Sequence, residues 1–359
     1  MSLKTANEYG GTQMLQKKKM KIGAINWDAF MSEKAYFTSH AMDSLANEKH
    51  SSRLPYYIEK QNGKYTVPNR TVKDYEKELS YAIDCGIDFF AYCWYPDTKK
   101  EERNIWKDDE NLSFLNDYYY ELNYARKLYQ QSSLNSKIAM CAIIFCLNSY
   151  AGSDFDSLFD AMKEDYYVKI KGRPLLIIFD KYDVEFIELI RSYAAKKGVN
   201  PYISFVNTAA VVDESTDYSH CDAVTAYGCG HSVHSFSGHI AKVRSDNEKR
   251  AGCGISVIPL MSVGWNPSPR IDRPKPWVVY DDVAYAPKPC DVDIDEAFAD
   301  LVDFVDTCPK ADTECALVFA WNEFEEGGYL CPTLNADGTA DDLLIKSFAK
   351  AKKKYIERP

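Results

Sequence analysis

The sequence predicts a one-domain α/β protein whose eight strand–helix units close into a (β/α)8 TIM barrel. Three observations lead there. Eight short apolar runs bounded by polar residues recur between Lys21 and Ala320, and most are followed by a stretch of helical periodicity. The first run ends in Asn26-Trp27-Asp28 rather than a glycine-rich phosphate loop, which disfavours the rival doubly wound sheet. Aromatic, amide and carboxylate residues collect directly after the runs, at the strand ends that bind ligands in parallel α/β folds.

Taken in order, strand one is read at 21–28. A long polar connection containing Arg53-Leu-Pro-Tyr-Tyr57 leads to a helix that Thr71 can cap, because its hydroxyl accepts from an otherwise unpaired backbone N–H. Val72, Tyr75, Leu79 and Ala82/Ile83 give that helix one apolar face, and Gly86 stops it. Strand two is 87–95, a helix follows near 117–131, and strand three is 137–144. A helix near 154–163 and the turn Lys171-Gly-Arg-Pro174 lead to strand four, 175–179. The next helix spans 184–197, followed by strand five at 201–206 and strand six at 222–227. A helix fits 238–250, strand seven is 257–263, and a helix fits 293–305. Strand eight, 315–320, is apolar throughout its interior, as a strand buried on both faces must be. The Lys-rich amphipathic stretch 343–356 is a final helix. With no internal repeat or linker, residues 20–359 read as one domain and 1–19 as a flexible lead-in.

Charge narrows the partners. A net charge of −10 and a pI of about 5.2 argue against nucleic acid and anionic membrane surfaces, and no apolar stretch reaches transmembrane length. The 11 cysteines include no CxxC pair, and Cys93, Cys141 and Cys146 lie inside apolar runs, which points to a reducing compartment. Lys17-Lys18-Lys19 is not followed by an apolar segment, so the expected location is cytoplasmic. The alternative is an exported protein whose signal peptide is not part of this sequence. Cys229, His231 and His234 lie close together but lack the further ligands a zinc site needs, and neither metal nor cofactor is expected.

The strongest chemical signal follows strand eight: Trp321-Asn-Glu-Phe-Glu-Glu-Gly-Gly328. Glu323 and Glu326 stand three residues apart where the chain leaves the sheet, so a curl there aims both into one pocket. Two carboxylates with unequal proton affinity divide acid and base work, as in glycoside hydrolysis. Glu325 is expected to point elsewhere, into solvent. The other strand ends contribute Trp27, Asp28, Tyr92, Trp94, Tyr95, Asn148, Tyr227, Trp265, Arg270, Trp321 and Asn322 as candidate substrate-binding residues, a set suited to a neutral polyol. Asp97, Asp180 and Asn207 occupy the same level. Each has an ordinary structural alternative: Trp27 and Trp94 as caps on the core, Asp97 and Asp180 as helix N-caps.

Trp321-Asn-Glu-Phe-Glu-Glu-Gly327 with Tyr329-Leu-Cys-Pro332 resembles the strand-eight signature of glycoside hydrolase family 99 and the related WbsX-type proteins found with polysaccharide genes. Asp165 to Ile177, Gly264-Trp-Asn-Pro-Ser-Pro-Arg270 and Tyr75 to Tyr95 are similar to other stretches of that family, so the resemblance spans most of 21–332. It implies a TIM barrel and retaining hydrolysis of α-mannoside-type linkages without a metal. In the family's proposed mechanism, one carboxylate takes the proton of the sugar 2-hydroxyl, which attacks the anomeric carbon to give a 1,2-anhydro sugar. The other is the acid for the leaving group and then the base for water. Carried over by position, Glu323 is the base and Glu326 the acid/base. The chain departs from the pattern at Phe324-Glu325, Asn266 and Cys331, which bears on the choice of sugar more than on the reaction. The alternatives are a glycosyltransferase-like protein of polysaccharide assembly and a barrel that binds glycan without cleaving it. Against the transferase, Asp291-Val-Asp293 reads as the acidic first turn of a helix rather than a metal motif.

Overall fold

A computed structural model describes residues 20–97, 113–206, 215–228, 234–280 and 285–357. The predicted lead-in 1–19, Asn207, Cys229 and His231 lie outside the described residues. All eight predicted strands form: β1 (Lys21–Asn26), β2 (Phe89–Cys93), β3 (Ala139–Phe145), β4 (Arg173–Phe179), β5 (Tyr202–Val206), β6 (Ala223–Thr225), β7 in two pieces (Ser256–Val257 and Leu260–Ser262) and β8 (Cys315–Phe319). They pair in parallel in that order, and β8 returns to β1 with Ile22 opposite Ala316.

The barrel closes through the broken strand. The first piece of β7 pairs with β6 and the second with β8, so one strand serves both edges in succession. Proline 259 sits at the break, where its missing N–H removes a ladder donor. Ile258 N–H still donates to Val224 and the Pro259 carbonyl already accepts from Leu317 N–H, both at 2.9 Å. Leu260, having left β6, has its N–H and C=O taken up by the side-chain amide of Asn247 at 3.1 and 2.8 Å. That gives both backbone groups of Leu260 partners inside the buried seam.

The helices wrap the barrel: α1 (Tyr36–Leu45), α2 (Val72–Cys85), α3 (Tyr124–Gln131), α4 (Gly152–Ala161), α5 (Val184–Lys196), α6 (Phe236–Ala251), the short α7 (Ser268–Asp272), α8 (Asp291–Thr307) and α9 (Leu343–Tyr355). The α2 ends are those read from sequence: Thr71 and Asp74 make a reciprocal capping box, and Gly86 ends the helix in the left-handed region at φ 83°. Asp291 and Asp293 occupy the first turn of α8, with Asp293 accepting from Cys290 N–H at 2.8 Å. The stretch before α3, expected to be α-helical from residue 117, instead runs as short 3-10 turns over Ser113–Asp117 and Tyr119–Asn123. Helix α1 was read as polar connection; its N-cap Ala35 offers no side-chain cap and neither end carries a dipole-matching charge. No described helix is long and apolar enough to cross a membrane, and the described cysteines are all unbridged.

Candidate active site

At the C-terminal ends of the strands a cavity of about 460 Å³ opens, with Glu323 and Glu326 in its wall. After β8 the chain makes a tight hairpin in which Asn322–Glu323 pairs with Gly328–Tyr329. This is the curl that brings Glu323 and Glu326 to one side. The peptide joining Phe319 to Ala320, just before it, is cis.

Two glycines hold the hairpin against the loop after β7. A Cβ on Gly264 (φ 151°) would lie 2.3 Å from the Gly327 carbonyl oxygen, and one on Gly327 (φ 77°) would lie 2.7 Å from the Asn266 nitrogen. Only glycine permits that approach. It lets Asn266 N–H donate to the Glu326 carbonyl at 2.5 Å, and it brings Arg270, on α7, over the acids.

Arg270 is 5% exposed and faces all three glutamates of the hairpin. Its Nη1 donates to Glu326, and its Nη2 lies 3.5 Å from Glu323 and 3.6 Å from Glu325. Two tyrosine hydroxyls complete the arrangement. Tyr227 donates to Glu323 at 2.5 Å and Tyr280 donates to Glu326 at 2.6 Å. Burial, then the adjoining Glu326 carboxylate, pushes Glu323 up to about 8 against the pull of Arg270. Burial and like charge therefore favour a proton on the pair, in keeping with the raised Glu323 carboxyl. The same burial drives Tyr227 well above the ordinary phenol range, so it stays a neutral donor.

Around the acids the cavity is aromatic. Trp27, Phe37, Tyr95, Tyr119, Phe145, Phe179, Trp265 and Trp277 line it, with Asn148 and Asp180 as the polar groups away from the carboxylates. Trp27 Nε1 donates to Tyr95 at 3.0 Å, and Tyr95 stacks between Tyr119 and Phe145 at centroid distances of 5.0 and 4.7 Å. Flat apolar rings flanking buried carboxyls present surfaces for the C–H faces of a sugar, and the acids supply the directional contacts.

Of the residues singled out from sequence, the structure brings Trp27, Tyr95, Asn148, Tyr227, Trp265, Arg270, Glu323 and Glu326 together on this cavity. Five others do not line it. Asp28 turns away into a buried pair with Arg70 at 3.0 Å. Tyr92 bonds Tyr75 on α2 at 2.7 Å, and Trp94 lies beneath the guanidinium of Arg126, 3.6 Å from ring centre to charge. Trp321 Nε1 donates to Glu78 at 2.8 Å, and Asn322 is a strut between strands, accepting from Trp27 N–H at 2.8 Å and donating to Asn26 at 3.1 Å. A residue at a strand end points into the barrel mouth or out toward the helix layer; Asp28, Tyr92, Trp94 and Trp321 take the second course, and Asn322 ties neighbouring strand ends together. Nor are Asp97 and Asp180 helix caps. Asp97 is ion-paired to Arg126 and Lys127 at 3.0 and 2.8 Å, Asp180 lines the cavity, and the cap of α5 is Asp183.

The solvated Glu325 is corrected most sharply. It is 3% exposed, with one oxygen 3.0 Å from Lys275 Nζ and bonded to the Ser44 hydroxyl. Residues the sequence reading passed over also line the cavity: Phe37 on α1, and Trp277 and Tyr280 after α7. Phe145 and Phe179, the last residues of β3 and β4, were findable by the strand-end rule. Among the described residues no cluster of histidine, cysteine and acids could hold a metal ion.

A (β/α)8 barrel with a buried carboxyl pair at its C-terminal mouth is the class that fold and site define. No protein-family model matches the sequence, and no curated relative matches it. Among solved structures, the chain is similar to the GH99 endo-α-mannosidase of Bacteroides thetaiotaomicron, alone (TM-score 0.54) and in complex with bis-tris propane (TM-score 0.55). In both, 94% of this chain and 97% of the other superpose at 12% sequence identity, a likeness of fold.

Proposed function

We propose that the protein is a glycoside hydrolase that cleaves a polysaccharide or oligosaccharide with Glu323 and Glu326 as its catalytic pair. The observation that carries this reading is the pair itself. Two carboxyls, each bonded to a tyrosine hydroxyl and both facing one buried arginine, stand together in the wall of an aromatic cavity. The fold likeness to an endo-α-mannosidase supports a glycoside hydrolase, while the α-mannoside-type linkage and the retaining outcome are what the strand-eight resemblance implies.

In the mechanism the resemblance implies, the basic carboxylate removes the 2-hydroxyl proton as that oxygen bonds to the anomeric carbon. The acid gives its proton to the departing glycosidic oxygen. Water then opens the 1,2-anhydro ring, losing its proton to the former acid, while the other carboxyl returns its proton to the 2-oxygen. The 2-hydroxyl is an internal nucleophile, so positioning supplies much of the rate. The resemblance makes Glu323 the base. The raised proton affinity of Glu323 favours the reverse assignment, with Glu323 as acid and Glu326, bonded to Arg270, as base.

The test is hydrolysis of a panel of α-mannans and bacterial polysaccharides by wild type, Glu323→Gln and Glu326→Gln, with anomeric configuration followed by NMR. Cleavage with retention, lost in both variants, is expected. Saturable binding without cleavage by wild type overturns the hydrolase reading in favour of a binding barrel. An aryl glycoside with a good leaving group assigns the roles, because it needs no acid and is still cleaved when only the acid is replaced.

A further inference from the structure

Behind the catalytic pair lies a second tier of buried charge that the reaction does not touch. Lys275, with a side chain 1% exposed, donates to the His40 carbonyl of α1 at 2.5 Å and pairs with Glu325 at 3.0 Å. The far oxygen of Glu325 reaches Arg270 at 3.6 Å, and the near one takes the Ser44 hydroxyl. The cluster thus contains three carboxyls, Glu323, Glu325 and Glu326, and two cations, Arg270 and Lys275. Its charges balance only when one carboxyl keeps a proton, and an uncompensated charge at this depth is costly.

We infer that Glu325 and Lys275 are positioning residues that set the proton count of the catalytic pair. Glu325 engages Lys275 and a share of Arg270, leaving Glu323 and Glu326 too little positive charge for both to ionise. Lys275 cannot serve the pair directly, since its ammonium is spent on Glu325 and the His40 carbonyl. Burial lowers the proton affinity of Lys275, and the Glu325 contact opposes that fall.

The remaining charged and titratable groups facing the cluster do not replace this pair. His40 and Asp43 approach from α1, and burial with the Lys275 charge lowers the proton affinity of His40. Tyr227 and Tyr280 donate as neutral hydroxyls, and Cys93 beyond Tyr227 is driven by burial above the ordinary thiol range. Position 325 is also where the chain departs from the family pattern that its strand-eight stretch resembles.

The consequence for catalysis rests on the hydrolase reading, but the test needs no turnover. Protein labelled with ¹³C-glutamate is titrated by NMR, with Glu323→Gln and Glu326→Gln assigning the pair's signals. Replacing Glu325 by Gln removes an anion and leaves both cations to the pair. The midpoint of the proton-holding carboxyl then falls by about one pH unit, the low end of what a nearby charge does. The double variant Glu325→Gln/Lys275→Met removes one charge of each sign and returns the midpoint toward wild type. A midpoint unmoved or raised in Glu325→Gln overturns the inference, as would a purely structural role that costs stability alone. If that variant does not fold, Lys275→Met by itself decides, with a rise expected and a fall or no change overturning it. The expected shifts in a protein that hydrolyses nothing would support this inference and overturn the hydrolase reading.

Discussion

Two buried arginines near the same end of the barrel, Arg70 and Arg270, each engage more than one carboxylate, and of the two only Arg270 lines the cavity that holds Glu323 and Glu326. Arg70 holds Asp28 at 3.0 Å, bonds Glu78, and lies 4.0 Å from the ring centre of Tyr57. Glu78 is also bonded to Trp321 at 2.8 Å, so this cluster locks α2, β1 and the end of β8 together, and neither Arg70 nor its two acids line the cavity. Burial raises proton affinity in both places, pushing Asp28 up to about 6 and Glu323 up to about 8. Buried, perturbed charge therefore does not by itself mark a working site. The difference is access: the Arg270 cluster faces the cavity, and the Arg70 cluster ties parts of the fold together away from it.

The sharpest way to break this contrast is to remove one charged group from each cluster and read two properties. Glu326→Gln is expected to lower hydrolysis by about 10³-fold, within the usual range for removing an acid or base, while urea denaturation stays close to wild type. Arg70→Leu should do the opposite. Leaving Asp28 and Glu78 buried without their cation costs about 3–5 kcal/mol in urea denaturation, with kcat of the folded fraction little changed. If Arg70→Leu abolishes kcat in folded protein, the two clusters are one functional unit and the contrast fails.

Next in size is a dependence on pH. The Glu323 carboxyl titrates near 4.5 when unfolded and near 8 when folded. Between those values the folded chain keeps a proton that the unfolded chain has released, so stability falls as pH rises through the window. Asp28 adds the same sign between 3.8 and 6. Melting temperature should decline from pH 5 to pH 8.5, and Glu323→Gln should flatten the upper part of the decline. An equally steep decline in that variant would place the proton elsewhere.

Smaller effects come from single hydrogen bonds. Tyr227→Phe removes the hydroxyl on Glu323 and is expected to cost about tenfold in kcat, the worth of one bond to a charged or charge-developing group. Thr71→Ala removes the α2 cap and should cost about 1 kcal/mol of stability with no change in kcat.

Much of the barrel could be read from the chain because its signals are local. Apolar runs such as Ala316 to Phe319 must be buried strands, and Thr71 and Gly86 mark the ends of α2 within one or two residues. The curl that gathers Glu323 and Glu326 was equally local. What the sequence hid depends on distant partners. Glu325 looks like a loop acid until Lys275 and Ser44, 281 positions away, are folded against it. Trp277 sits in Arg273-Pro-Lys-Pro-Trp, which has the composition of an exposed turn, and Phe37 belongs to a helix without capping signals. Asp28, Tyr92 and Trp94 were misplaced for a different reason: strand ends alternate between the barrel mouth and the helix layer, and composition alone does not say which phase a residue takes.

The glycine contact between residues 264 and 327 makes the last two loops of the barrel mouth inherit one another's changes. Lengthening or recasting either one moves the Glu326 backbone and the arginine above it at the same stroke, so this side of the mouth has little freedom to diversify. Altered ligand preference is then sought at Phe37 and Phe145, which line the cavity from α1 and β3 rather than from these two loops. A library built for altered substrate choice would start there and leave both glycines alone.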